Sequence, residues 1–192
     1  MTLPDSEPTI EPDTKDWTWV LREPCPECDF VATDVDRADV GRLIRDNATG
    51  WTAVLAAPSA TERPDPQTWS PAEYACHVRD VHRIFSERLA LMLEQDVPTF
   101  ANWDQDETAV AERYDLQDPT TVIEELAAAA EAVAAAYDAL VEAPEETWAR
   151  RGLRSNGSEF TVDTLARYQL HDLVHHAHDV RHAAPLRQGS GA

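Results

Sequence analysis

Residues 168–182 read YQLHDLVHHAHDVRH, from Tyr168 to His182, and hold five of the chain's seven histidines. On a helix of 3.6 residues per turn, His171, His175, His178 and His182 fall within roughly 60° of one another, and His176 points well away. Leu170, Leu173, Val174, Ala177 and Val180 form an apolar arc beside that stripe, the pattern of a helix packed in a bundle. The histidine row therefore borders a buried face. His171 and His175, four residues apart, stand about 5–6 Å apart at Cβ and can converge on one metal ion. A histidine beside an apolar face is also commonly a hydrogen-bonded core residue, and two imidazoles do not make a site. A third ligand has to come from another element.

Working outward, Thr161 is a good cap for this helix, and Trp148 to Val162 reads as a small hairpin turning at Ser155-Asn156-Gly157. Asp118-Pro119 opens an alanine-rich helix that runs to about Glu142. Residues 102–114 suggest a loop and a short helix beginning near Asp104. Ser70-Pro71-Ala72-Glu73 combines a cap, a proline at the first helical position and a capping-box glutamate, predicting a helix to about Glu94. On that helix Tyr74, Val78, Val81, Ile84, Phe85, Leu91 and Met92 lie within roughly 100° of His77. Asp80, Arg83 and Glu87 lie opposite, and His82 is turned about 140° from His77, towards an edge. The first helix starts near Asp34 or Asp36 and reaches about Ala57, with Gly41 and Gly50 weakening it. Trp17–Leu21 reads as a short strand. Four long amphipathic segments predict an all-α four-helix bundle with a long crossover connection. The bundle spans residues 34–184, preceded by a flexible acidic tail (1–16) and a Cys-x-x-Cys extension (17–33), and followed by a flexible tail (185–192).

Acidic residues outnumber basic ones 36 to 16, a formal charge of −20. That surface repels phosphate backbones and anionic lipid, so it argues against nucleic-acid or membrane partners recruited by bulk charge. No apolar run is long enough to cross a bilayer, and the N-terminal stretch lacks the regions of a signal peptide, which predicts a cytoplasmic protein. The apolar bundle faces are compatible with a homodimer. Three cysteines, Cys25, Cys28 and Cys76, argue against a disulfide framework. The Pro24-Cys25-Pro26-Glu27-Cys28 turn has three readings: a structural turn, half of a zinc knuckle, or a redox pair.

In a bundle, His77 can meet His171 and His175 at the centre, three neutral imidazoles around a divalent ion with positions left open. Zinc, nickel and ferrous iron all accept imidazole. Asp172 and Asp179 are candidate acceptors for ring N–H groups, and His178 for moving protons. Trp69, Trp103 and Tyr168 are candidates to line a pocket, and Arg167 or Arg181 to hold a substrate carboxylate.

Trp69-Ser70-Pro71-Ala72-Glu73-Tyr74-Ala75-Cys76-His77, together with His171-Asp172-Leu173-Val174-His175-His176, resembles the DinB/YfiT-like superfamily of metal-dependent four-helix bundles, over about residues 35–184. The resemblance implies His77, His171 and His175 as metal ligands. It also implies a metal-dependent S-transferase or isomerase that uses a low-molecular-weight thiol such as mycothiol or bacillithiol, the thiol attacking a small electrophile. The maleylpyruvate isomerase branch carries a glutamate at the position of His171. A module that binds metal or ligand without turnover is the competing reading. A third is a structural zinc protein in which the CPEC turn and Cys76 share an ion with a histidine.

Overall fold

The computed structural model describes residue 10 and residues 15–183, so the two tails expected at 1–16 and 185–192 lie outside it apart from Ile10, Lys15 and Asp16. Elements start where the sequence offers caps. After 3₁₀ turns at Ala32–Asp34 and Arg37–Asp39, α1 spans Val40–Leu55. The Ser70–Glu73 capping box opens α2 (Pro71–Glu94). Then come β1 (Thr99–Phe100), α3 (Gln105–Ala111, capped by Asp104) and α4 (Pro119–Asp138, capped by Asp118). A short α5 (Glu145–Trp148) precedes β2 (Arg151–Arg154), β3 (Glu159–Thr161) and α6 (Val162–His182), where Thr161 and Thr164 form the capping box. No helix among the described residues is long and apolar enough to cross a membrane.

The four long helices form a bundle in which α1 and α2 each pack chiefly against α4 and α6. Consecutive helices α1 and α2 therefore stand across the core from each other, and the β1–α3 crossover carries the chain from α2 to α4. Ile44 and Trp51 of α1, Val78, Val81, Phe85 and Leu89 of α2, Leu126, Val133 and Tyr137 of α4, and Leu165, Leu170 and Leu173 of α6 fill the interior. Gly41 is placed by this packing. A Cβ there would stand 2.9 Å from the Ala134 backbone oxygen and 2.0 Å from Asp138 Oδ1, so its bare backbone sets how closely α1 approaches α4.

The hairpin β2–β3 turns through Gly157 at φ +97, and β1 adds to it in parallel, giving the order β1-β2-β3. The two-residue β1 carries too little pattern to be visible in sequence. Trp17–Leu21 is a 3₁₀ helix rather than the expected strand: Asp16 caps it by accepting the Thr18 N–H at 3.0 Å, and Trp17 stacks on Trp19. This segment packs on α6. Arg167 fastens the stretch that follows, donating to the Ala32 carbonyl, to the Val35 carbonyl at 2.9 Å and to Asp163. Arg167 is thus a structural clamp, and Arg181 lies in a groove between α1 and α6 with Trp51 and Val54.

The expected polar side of α2 is covered only in part: Arg83 and Glu87 are exposed, as expected, but Asp80 and His82 are not. Asp80 is buried, salt-bridged to Arg79 and Arg83, and accepts the Tyr114 hydroxyl at 2.5 Å. His82, expected at an edge, is fully buried with Nδ1 3.2 Å from Gln169 of α6. Tyr114 of the crossover encloses Asp80, and Gln169 of α6 encloses His82, at positions the sequence of α2 presents as polar. Asp80 is satisfied by its pairs, as a buried charge requires, whereas His82 Nε2 and Gln169 Oε1 have no hydrogen-bond partner among the described residues.

Candidate metal centre

Three side chains from α2 and α6 converge at the bundle centre. His77 Nε2 lies 3.3 Å from Asp172 Oδ1, and His176 Nε2 lies 3.6 Å from the same oxygen. The His77 and His176 rings meet edge to face with centroids 4.5 Å apart. Ligand atoms at about 2.0–2.1 Å from one ion stand about 2.9–3.4 Å from each other, so a small inward movement of this trio would close on a cation. The far nitrogen of His176, Nδ1, sits 3.1 Å from Asp179 Oδ2. An ionised Asp179 can only accept there, which puts the proton on Nδ1 and leaves the Nε2 lone pair facing Asp172.

The surroundings set the charge states. Burial lowers the pKa of His77, with His176 adding to the effect, so His77 is a neutral imidazole at neutral pH. Burial alone would raise Asp172, but the His77 hydrogen bond and the neighbouring imidazoles outweigh it and hold the carboxyl at about 2. Asp179 is likewise raised by burial and lowered more by its bond to His176. Trp103 stacks on His77 with centroids 5.3 Å apart at 11°, and Trp69 lies 5.5 Å away on the same ring, so His77 is wedged in position by aromatic surfaces.

Asp172 and His176 open onto a cavity of about 670 Å³. Trp69, Trp103 and Tyr168 line it, as do Tyr74, Arg154 and Asn156. Lys15, Asp16, Trp17 and Glu27 bring the N-terminal segment into the wall. His178, a candidate for proton movement, is not on that wall; its ring stacks on His182, 3.9 Å away, near the end of α6.

The expected trio of His77, His171 and His175 is not gathered at one point. His77 groups with Asp172 and His176, whereas His171 and His175 group with Cys25 and Cys28, each set having ligand atoms within 4.8 Å of one another. The reason is rotational. One residue along a helix is 100°, and α6 turns its Asp172–His176 pair towards α2 and its His171–His175 pair towards the N-terminal segment. Cys76 belongs to neither group; it is buried, with Sγ 3.5 Å from Gln117 Oε1. Asp172-x3-His176 has the same convergent spacing as His171-x3-His175, and nothing in the periodicity says which pair meets His77.

A family model described as the DinB superfamily matches residues 42–180. The chain belongs to the DinB superfamily. A solved structure of YfiT from Bacillus subtilis, described as a probable metal-dependent hydrolase with an unusual four-helix bundle topology, matches with a TM-score of 0.62. That match is 15% identical and covers 74% of this chain and 82% of YfiT, a likeness of fold. A comparison with curated proteins finds no match. The matched DinB region contains His77, Asp172 and His176 and stops short of the CPEC segment.

Proposed function

We propose that this DinB-superfamily protein is a metal-dependent enzyme in which His77, Asp172 and His176 hold a divalent cation at the floor of the cavity. The observation that carries the reading is the approach of two imidazole nitrogens to one carboxylate oxygen, at 3.3 and 3.6 Å, beside open space. Three protein ligands leave room for a further one, the arrangement of reactive rather than structural sites. Zinc fits this donor set, and nickel and ferrous iron accept it too. Such an ion, carrying one compensating carboxylate, would act as a Lewis acid that lowers the pKa of a thiol or water entering beside it.

The finer reading is S-transfer: a low-molecular-weight thiol of the mycothiol type gives up its proton, and its sulfur displaces a leaving group from a small electrophile in the cavity, as chloride is displaced from chlorodinitrobenzene. The polar wall, with Gln67, Asn102, Gln105 and Asn156, suits a hydroxyl-rich thiol. In this reading Trp69 and Trp103 hold His77 in place, Asp179 fixes the His176 tautomer, and Tyr168, with the Arg154 guanidinium 5.9 Å from its ring, shapes the far wall. Hydrolysis is the second reading, favoured by the fold shared with YfiT, which is described as a probable hydrolase. A binding module without turnover is the third.

Turnover of chlorodinitrobenzene by zinc-loaded protein, with and without mycothiol, separates the three. Thiol-dependent turnover that Asp172→Asn lowers at least about 100-fold supports S-transfer. Thiol-independent cleavage of an ester probe points to hydrolysis. Metal uptake with neither activity overturns the enzymatic reading.

A further inference from the structure

The CPEC segment lies outside the matched DinB region, yet it brings two thiols to the pair of histidines that the proposed centre does not use. Cys25 Sγ lies 3.8 Å from His175 Nδ1, and the ligand atoms of Cys25, Cys28, His171 and His175 all fall within 4.8 Å of one another. Around a tetrahedral ion with two sulfur and two nitrogen ligands, neighbouring ligand atoms stand about 3.3–3.8 Å apart. We propose that Cys25, Cys28, His171 and His175 form a second, closed zinc site that fastens the N-terminal segment to α6.

Three further features fit that occupant. The turn is shaped around the sulfurs. Asp29 N–H donates to the Cys25 carbonyl and Cys25 N–H to the Phe30 carbonyl, both at 2.9 Å, with Asp29 in the left-handed region at φ 59. The Phe30 backbone N–H donates to the Cys28 sulfur and closes the turn around it. On the helix side, His175 Nε2 lies 3.6 Å from Glu27 Oε2 and 3.8 Å from Asp179 Oδ2, so carboxylates face its outer nitrogen while Nδ1 faces Cys25. The buried Nε2 of His171 has no hydrogen-bond partner among the described residues. Aromatic rings flank the pair where it borders the cavity: Trp17 packs on His171 and His175 with centroids 5.5 and 4.8 Å away, and Phe30 meets His171 edge-on.

Charge separates the two centres. Zinc with two thiolates and two neutral imidazoles is electrically neutral and four-coordinate, suited to a buried structural role; loading releases the two thiol protons. The other centre has one anionic ligand and an open position. A closed site here holds Trp17, Glu27 and Lys15 in the cavity wall and fixes the face of α6 that carries Asp172 and His176.

Cobalt titration of metal-free full-length protein tests this independently of any turnover. The expected result is strong near-ultraviolet absorption from thiolate-to-cobalt charge transfer with intense tetrahedral visible bands, weakened in Cys28→Ser, lost when Cys25→Ser is added, and retained in Asp172→Asn. In wild type, which needs no variant to fold, zinc should slow iodoacetamide labelling of Cys25 and Cys28 at least about tenfold, read by peptide mass. Weak octahedral absorption without a sulfur band, a sulfur band that survives the loss of both Cys25 and Cys28, or labelling indifferent to zinc would overturn the site. None of these outcomes bears on the His77 centre.

Discussion

At the scale of single residues, the decisive fact is which pair of α6 side chains meets His77. His171 and Asp172 are neighbours, and each has a histidine four residues on, so both pairs satisfy the spacing for a shared ion. The spacing was legible in the sequence; the choice of face was not, because it depends on which helix and which loop pack on each side of α6. The proposed assignment makes Asp179 a test residue: its Oδ2 lies 3.1 Å from His176 Nδ1, with a longer approach of 3.8 Å to His175 Nε2, so the test is run in a Cys28→Ser background. Asp179→Asn is expected to weaken zinc binding at the His77 centre by about 10- to 100-fold, the usual cost of losing an outer carboxylate, measured by chelator competition. Asp172→Asn, which removes a ligand and its charge, should weaken it further. Equal affinity in both variants would count against the assignment. His82 gives a prediction about pH. Burial lowers it from 6.5 to about 4. Between those values the unfolded chain carries a proton that the folded chain does not, so the stability due to a neutral His82 is complete above pH 6.5, falls as pH drops towards 4, and changes no further below it. The loss is at most about 3 kcal/mol, and urea melts of metal-free protein at pH 7 and 5 should show a smaller difference in His82→Gln than in wild type.

At the scale of elements, caps were the readable signal. Ser70-Pro71 with Glu73, Asp118-Pro119 and Thr161 each mark a helix start within a residue, because a cap is a local hydrogen-bonding arrangement written in adjacent side chains. The hairpin turn at Gly157 was readable for the same reason. What failed was either too short or too dependent on distant partners: the two-residue β1, the Trp17–Leu21 turn held by Asp16 and α6, and the burial of Asp80 and His82 beneath the crossover and α6. The two glycines of α1 show how element packing redirects a propensity argument. Both weaken an isolated helix, but a methyl at Gly50 would meet nothing within 4 Å, whereas one at Gly41 would press on the α4 backbone. Gly50→Ala should therefore stabilise the protein by about 0.5–1 kcal/mol, and Gly41→Ala should destabilise it by about 1–2 kcal/mol despite the same gain in helix propensity. Thermal melts check the pair; two shifts of the same sign would contradict the close approach of α1 and α4.

At the scale of the whole molecule, one face of α6 carries the proposed reactive centre and the next the proposed N-terminal clasp, and both border the same cavity. The four-helix architecture was legible because amphipathic period and caps agree along most of the chain. The sequence pointed to histidines of two helices, but not to which of them group: the side chains gathered with His77 are Asp172 and His176, and His171 and His175 lie with Cys25 and Cys28. An excess of acidic residues over the whole surface says nothing about that interior carboxylate, which owes its low pKa to its immediate neighbours. The most direct measurement is an anomalous-scattering map at the zinc edge from crystals of zinc-loaded protein. A peak bound by His77 Nε2, Asp172 Oδ1 and His176 Nε2 is expected. A single ion held instead by His77, His171 and His175, or no density between His77 and Asp172 under saturating zinc, would contradict it.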